Sequence, residues 1–354
     1  MLNIGLCHFY KICKAQGTSQ KCQYIMNILL SRTDSIGDVV LTLPLAGLIK
    51  EKYPQAKVLF LGKTYTKDII ACSSKVDKFL DWSEIQKLDS KAQIQLLKQE
   101  NIDIIVHVFP NKEIAKLARK SGIKTRIGTS HRPYHYLYCN KMPSFSRKKS
   151  DLHEAQLNVK LLASLEISFD GSFQEMEKYY GFTNIPSLDE KWSSLLSTTG
   201  KNIILHSKSQ GSAREWGLVN FRKLIDLLID NGDRVFLTGT EPEGKLFRDE
   251  LMYDCDNLID LSGKMTLKEL VAFIAKADSL VAASTGPLHI AAATGINAVG
   301  IFPPIRPIHP GRWAPIGKST KVFTADKPHC TECLNGEACA CMLSISAKEV
   351  FASL

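Results

Sequence analysis

The chain has 354 residues, 44% hydrophobic and 23% charged, with 45 Lys+Arg against 36 Asp+Glu and a formal charge of +9. That is an ordinary globular composition with room for two domains of about 150 to 180 residues, and no stretch reaches the ~18 apolar residues of a membrane-spanning helix. The positive charge suits an acidic partner or an anionic membrane surface; no zinc-finger spacing, RNP motif or basic heptad accompanies it, so nucleic acid is not the expected partner.

Met1 to Tyr10 form an apolar run broken by His8, with charges after it and no small-residue cleavage site, unlike a signal peptide. Residues 1–23 are expected to be an extension outside the fold, with Met26 the natural initiator. The regular pattern begins with a buried strand at Asn27–Ser31, a turn at Ile36–Asp38 and one amphipathic helix from Val39 to Tyr53, stopped by Pro54. Strands follow at Lys57–Leu61, near Phe79-Leu80 and at Ile102–His107, with helices at Ser90–Glu100 and Lys112–Ser121. Residues 129–150, rich in Arg, Lys, His, Tyr and Pro, read as a surface loop. A helix at Asp151–Leu165 resumes the rhythm, and 168–188 reads as an interdomain linker.

A second half then alternates in the same way. Strands are predicted at Asn202–His206, Arg234–Thr238, Asn257–Leu261, Ser279–Ala283 and Ala298–Phe302. Helices are predicted at Val219–Asn231, from Glu243, at Leu267–Ala277 and from Gly286. These alternations predict an α/β protein with parallel sheets covered on both faces, divided at 24–180 and 181–345, with a closing helix at 346–354. Ligands are expected in a cleft at the carboxyl ends of both sheets. The ten cysteines sit mostly at uncorrelated positions in a chain that needs no staples, which places the protein in a reducing cytoplasm.

Three segments carry chemistry. In Ser31–Val40, Gly37 permits a tight turn, and Asp38 can project into the cleft from the first helical turn as a general base; the plainer alternative is that Asp38 or Asp34 caps the helix. In Ser284–His289, the free N–H groups of Thr285 and Gly286 at a helix start form a natural diphosphate seat. His289 lies one turn on, facing the same ligand or merely packed. In His206–Trp216, hydroxyls and Arg214 suit a leaving diphosphate, or the loop is solvated with Trp216 as its anchor. No Walker A and no Gly-x-Gly-x-x-Gly is present, which argues against a P-loop NTPase or a nicotinamide oxidoreductase.

Ile36-Gly37-Asp38-Val39, the His206…Arg214-x-Trp216 loop, Thr238-Gly239-x-Glu241-Pro242-Glu243 and Ser284-Thr285-Gly286-Pro287-Leu288-His289 stand in consistent order from Tyr24 to the C-terminus. Together they resemble the ADP-heptose:lipopolysaccharide heptosyltransferase family, glycosyltransferase family 9. The resemblance implies a GT-B architecture, two Rossmann-like domains with parallel sheets facing across a cleft. It also implies metal-independent, inverting transfer of heptose from ADP-heptose to inner-core lipopolysaccharide, without a cofactor. By resemblance Asp38 is the base, Ser209 and Arg214 hold phosphate, and Thr285, Gly286 and His289 form the diphosphate turn. Glu243 falls near the donor ribose and Met265 beside the adenine. Ser284 stands where family members often carry Asp, which removes a negative charge beside the donor. A sister enzyme using another nucleotide sugar is therefore the alternative, and a non-catalytic glycan-binding protein on the same fold the lesser one.

Arg119, Lys120, Lys124, Arg126, His131, Arg132, Lys141, Arg147, Lys148 and Lys149 form a basic cluster suited to an anionic glycolipid acceptor, with Arg126, His131 and Arg132 its candidate contacts, or to lipid headgroups at the cytoplasmic face of the inner membrane. Interleaved Tyr134, Tyr136 and Tyr138 suit a membrane-facing loop. Cys330, Cys333, Cys339 and Cys341 have the density of a structural zinc site, but free or oxidisable thiols are the preferred reading. Asp254-Cys255-Asp256 is read as a surface loop rather than a metal-binding Asp-x-Asp.

Overall fold

Ile28, Leu29, Leu30 and Ser31 are all fully buried in succession, a run without alternation that only a strand covered on both faces can hold. The structure is a computed structural model that describes residues 25–147, 149–209, 211, 213–327, 330, 332–333 and 340–354. The expectations for residues 1–23, Lys148 and Cys339 lie outside the described residues. In the first half, β1 (Asn27–Ser31), β2 (Lys57–Gly62), β3 (Lys78–Asp81), β4 (Ile104–His107) and β5 (Thr125–Ile127) form a parallel sheet in the order 3-2-1-4-5. In the second half, β6 (Asn202–His206), β7 (Arg234–Leu237), β8 (Leu258–Asp260), β9 (Ser279–Ala283), β10 (Asn297–Phe302) and β11 (Thr320–Thr324) form a parallel sheet in the order β8-β7-β6-β9-β10-β11. Counted within its own half this is 3-2-1-4-5-6, the doubly wound order whose switch point lies beside its first strand.

Four local expectations are corrected. The helix foreseen at Val39–Tyr53 is two, Ile36–Val40 and Pro44–Lys52, because Pro44 has no N–H to give a continuing helix and instead starts the next one. The helix foreseen at Asp151–Leu165 is α-helical only over Glu154–Val159 and tightens into 3₁₀ turns at Lys160–Leu165. Strands β5 and β11 were not foreseen. The first is three residues long, and the second is an edge strand with polar, partly exposed residues rather than an apolar run. The 168–188 passage is not a free linker in its middle. Phe173–Tyr179 packs on Pro44–Lys52 so closely that a Cβ at Gly47 would sit 2.2 Å from the Tyr179 carbonyl oxygen.

The last helix, Ala347–Phe351, belongs to the second half. Ala347 and Val350 are buried with Phe221 and Leu224 of the helix Leu218–Asp230. Between the halves the helix Ile36–Val40 meets the helix Gly286–Thr294 end to end. A Cβ at Gly37 would lie 2.8 Å from the His289 ring, and one at Gly286 would lie 2.9 Å from Ile36. Gly37 therefore serves close approach between two helix starts, not the tight turn expected of it; its backbone is helical.

Candidate functional site

A cleft of about 1130 Å³ opens between the halves. One wall is the turn after β1 and the other is the set of segments that leave the carboxyl ends of β6 to β10, which the parallel order of the second sheet places on one rim. Asp38, Ser209, Arg214, Glu243, Met265, Ser284, Thr285, Gly286 and His289 all line it.

The first wall is a knot of charges. Arg32, 4% exposed, donates from Nε to Asp34 Oδ1 at 2.7 Å, pairs through Nη2 with Asp38, and reaches Glu154 Oε1 from Nη1 at 3.2 Å. Glu154, 2% exposed, is also paired with Arg147 and with Arg312, the latter at 2.5 Å from the second half. Burial opposes the charge on Arg32, yet Asp38, Asp34 and Glu154 hold its pKa above the ordinary arginine value. Burial pushes the Asp34 carboxyl up to about 6, against the pull of Arg32 and with the push of Asp38. The helix at Ile36–Val40 has no side-chain cap, so neither Asp34 nor Asp38 has the capping role. Instead Ser35 Oγ donates to Asp38 Oδ2 at 2.5 Å, and Tyr65 donates its hydroxyl to the Asp34 carbonyl.

The second wall carries less charge and more open hydrogen-bonding capacity. The helix Gly286–Thr294 starts with Pro287 in its first turn and Thr285 at its N-cap, whose hydroxyl makes no cap bond. Thr285 Oγ1, Ser207 Oγ and His289 Nδ1 are buried with no hydrogen-bond partner among the described residues. Burial lowers the His289 pKa to about 4, against the nearby Asp38, so the ring is neutral at pH 7. Thr285 and His289 belong to the start of this helix and line the cleft, and a helix N-terminus favours negative charge.

The neighbouring loop is braced from within. Glu215 accepts from Lys208 Nζ at 2.6 Å and from the Ser209 N–H at 3.0 Å, and Ser209 Oγ donates to the Ala213 carbonyl at 3.0 Å. Arg214 donates from Nε to the Cys333 carbonyl at 3.0 Å. Trp216 is fully buried and donates to the Ile345 carbonyl at 2.9 Å. Glu243 turns back as the third helical residue of a capping box, accepting from the Thr240 N–H at 2.7 Å.

Arg126, His131 and Arg132 do not line the cleft. Arg126 is tied to the Tyr138 carbonyl at 2.7 Å and to the Ile123 carbonyl, and so braces its own loop. Arg147, counted with the basic cluster, turns inward to Glu154. Arg32, Glu154 and Arg312 escaped the sequence reading. Glu154 lies 122 positions from Arg32 and further still from Arg312, and only Arg32 sits inside a motif. Asp254 and Asp256 are exposed, as a surface loop requires. Among the described residues the group able to hold a metal is Cys330, Cys333 and Cys341, outside the cleft lining.

A carboxylate facing a helix N-terminus across a cleft can take a proton from one substrate while an anionic group of another departs. The model of glycosyltransferase family 9 (heptosyltransferase) matches residues 91–341. A Haemophilus influenzae protein named "Putative glycosyltransferase" is 30% identical over 307 residues, 83% of this chain and 87% of that one. Lipopolysaccharide heptosyltransferase 3 of Escherichia coli K12 is 22% identical over 281 residues, covering 75% of this chain and 79% of that one. Among solved structures, E. coli ADP-heptose lipopolysaccharide heptosyltransferase II superimposes with a TM-score of 0.70 at 18% identity, over 93% of this chain and 97% of that one. An E. coli heptosyltransferase with ADP-2-deoxy-2-fluoro heptose gives a TM-score of 0.66 at 19% identity, over 92% and 98%.

Proposed function

The chain belongs to glycosyltransferase family 9 and is a glycosyltransferase of GT-B fold, and from that premise we propose that it transfers heptose from ADP-heptose to the inner core of a lipid A-linked lipopolysaccharide acceptor, inverting the anomeric carbon. Asp38 takes the proton of the acceptor hydroxyl as that oxygen attacks. Arg32 and Ser35, both bound to the Asp38 carboxylate, aim it. The observation that carries the reading is the meeting of Gly37 with His289 and of Gly286 with Ile36, which sets the base-bearing turn directly opposite the helix start.

Charge on the departing diphosphate is stabilised by the N–H groups of Gly286–Thr294, the Thr285 hydroxyl, Ser209 and Arg214. Preorganised donors of this kind remove several kcal/mol of barrier, roughly 3 to 4 for each well-placed one. Met265 packs beside the adenine and Glu243, held by its capping box, fixes the strand-helix turn at the ribose. His131 and Arg132 meet the anionic acceptor, with Arg126 bracing their loop. Tyr136 and Leu137, each 63% exposed beside these cations, rest against the cytoplasmic face of the inner membrane; no described helix is long and apolar enough to cross one.

A second reading, the same chemistry with another nucleotide sugar, follows from Ser284, a neutral side chain at the cleft wall. The two separate in a thermal-shift series with ADP, UDP, GDP, CMP and ADP-heptose, followed by transfer to a lipid A-linked acceptor. Stabilisation by ADP and ADP-heptose alone is expected. Selective stabilisation by another nucleotide overturns the heptose assignment and leaves the transferase class standing.

A further inference from the structure

Three thiols converge behind the second wall, apart from the residues assigned to the reaction. Cys330 donates its N–H to the Lys327 carbonyl at 3.2 Å, Cys333 follows three residues on, and Cys341 comes from the helix Ala340–Leu343. Their sulfurs all lie within 4.8 Å of one another. Cys333 and Cys341 are buried and Cys330 is half-buried, against a core that includes Trp216 and Ile345. A Cys-x-x-Cys pair completed by a thiol from a later helix is a common way for chains to present sulfur to a tetrahedral cation. Sulfurs 2.3 Å from one metal ion sit about 3.8 Å apart. The cluster therefore needs to contract by only about 1 Å at its widest pair, without a change of fold.

We propose that Cys330, Cys333 and Cys341 supply three of the ligands of a thiophilic divalent cation, zinc first among those that thiolate sets select. Binding displaces the thiol protons, so affinity falls as pH falls. The site holds Cys330 and Cys333 against the core of the second half. Its consequence reaches the cleft through one bond, because the Cys333 carbonyl accepts from Arg214 Nε at 3.0 Å. The cation thereby positions Arg214, a consequence that rests on the proposed function, whereas the site itself does not. From the same region, the Leu343 carbonyl accepts from Asn220 Nδ2 at 3.1 Å and the Ile345 carbonyl from Trp216, so the segment after Cys341 is clamped to the residues that follow the phosphate loop.

Elemental analysis of the full chain, purified under reducing conditions and incubated with zinc or ferrous iron, is expected to find close to one metal per chain. Cobalt in its place is expected to give the intense visible and near-ultraviolet bands of tetrahedral thiolate ligation. Cys330→Ser, at the half-buried position, should lower occupancy at least tenfold while the chain still folds; Cys333→Ser should do the same where it folds. Chelator stripping should lower the melting temperature and raise the donor KM several-fold with a smaller change in kcat. Less than about one-tenth of an equivalent of any metal, no cobalt bands, occupancy unchanged in Cys330→Ser, or a disulfide among these residues that survives as the native state overturns the proposal. Metal content and cobalt spectra are read without any sugar donor, so they fail or hold independently of the heptose assignment.

Discussion

The two walls of the cleft solve opposite problems. On the first, Arg32, Asp34, Asp38, Glu154, Arg147 and Arg312 are joined by ion pairs, so most of the buried charge has a counter-charge, although Glu154 Oε2 and Arg312 Nε make no hydrogen bond among the described residues. On the second, Thr285 Oγ1 and His289 Nδ1, both cleft-lining, have no partner among the described residues, and a helix start adds backbone amides without an intrahelical acceptor. A self-paired wall is rigid and holds a base in one orientation; breaking one buried pair there leaves an uncompensated charge. An unpaired wall carries a desolvation cost that an arriving anionic ligand would remove. Ligand affinity is therefore expected to reside mainly on the second wall and the chemical step mainly on the first.

The largest effect that can break this division is at Asp38. Asp38→Ala is expected to lower kcat about 10³-fold while ADP affinity, measured by calorimetry, stays within about twofold. A large loss of ADP affinity would show that the first wall also binds donor. Next comes Thr285→Val, which keeps the shape and deletes only the unpartnered hydroxyl. Donor affinity should fall about tenfold, as for a lost hydrogen bond to a charged group, with thermal stability unchanged or raised; a destabilised variant would mean the hydroxyl is needed by the fold.

The smallest effect tests strain within the first wall. The Asp34 pKa of about 6 lies above its ordinary 3.8, so between those values the folded chain keeps a proton that the unfolded chain has lost. Stability from this group is full below about pH 4 and is lost as pH rises through 6. Asp34→Asn keeps an acceptor for Arg32 and removes that dependence. It should match the parent protein near pH 4 and exceed it by about 1 kcal/mol at pH 7.5, a shift of a few degrees in melting temperature. A less stable variant at pH 7.5 would show that the Arg32–Asp34 pair outweighs the burial.

Much of the second wall was legible in the chain, because helix starts announce themselves locally. Ser284-Thr285-Gly286-Pro287 names its own N-terminus through proline placement and small polar residues, and the structure puts it where the pattern does. The first wall was legible only at Asp38. Arg32 and Glu154 are 122 positions apart, and nothing in periodicity or turn chemistry joins them. Edge strands failed for a related reason: Thr320–Thr324 is half-exposed, so it lacks the apolar run that marks β1. The stretch Val39–Tyr53 is more instructive: its apolar stripe runs on through Pro44, yet Pro44 starts a separate helix.

By itself the sequence determined the alternation of strand and helix, the two halves and the order of the cleft-facing turns. These are set by short-range burial patterns and by residues that cap, start or stop a helix. Tertiary structure alone decided that Gly37 is small because His289 lies against it, that Glu154 gathers three arginines from both halves, and that three cysteines meet behind Arg214. Each of those depends on distances between segments far apart in the chain, and a distance of that kind exists only once both sheets have packed.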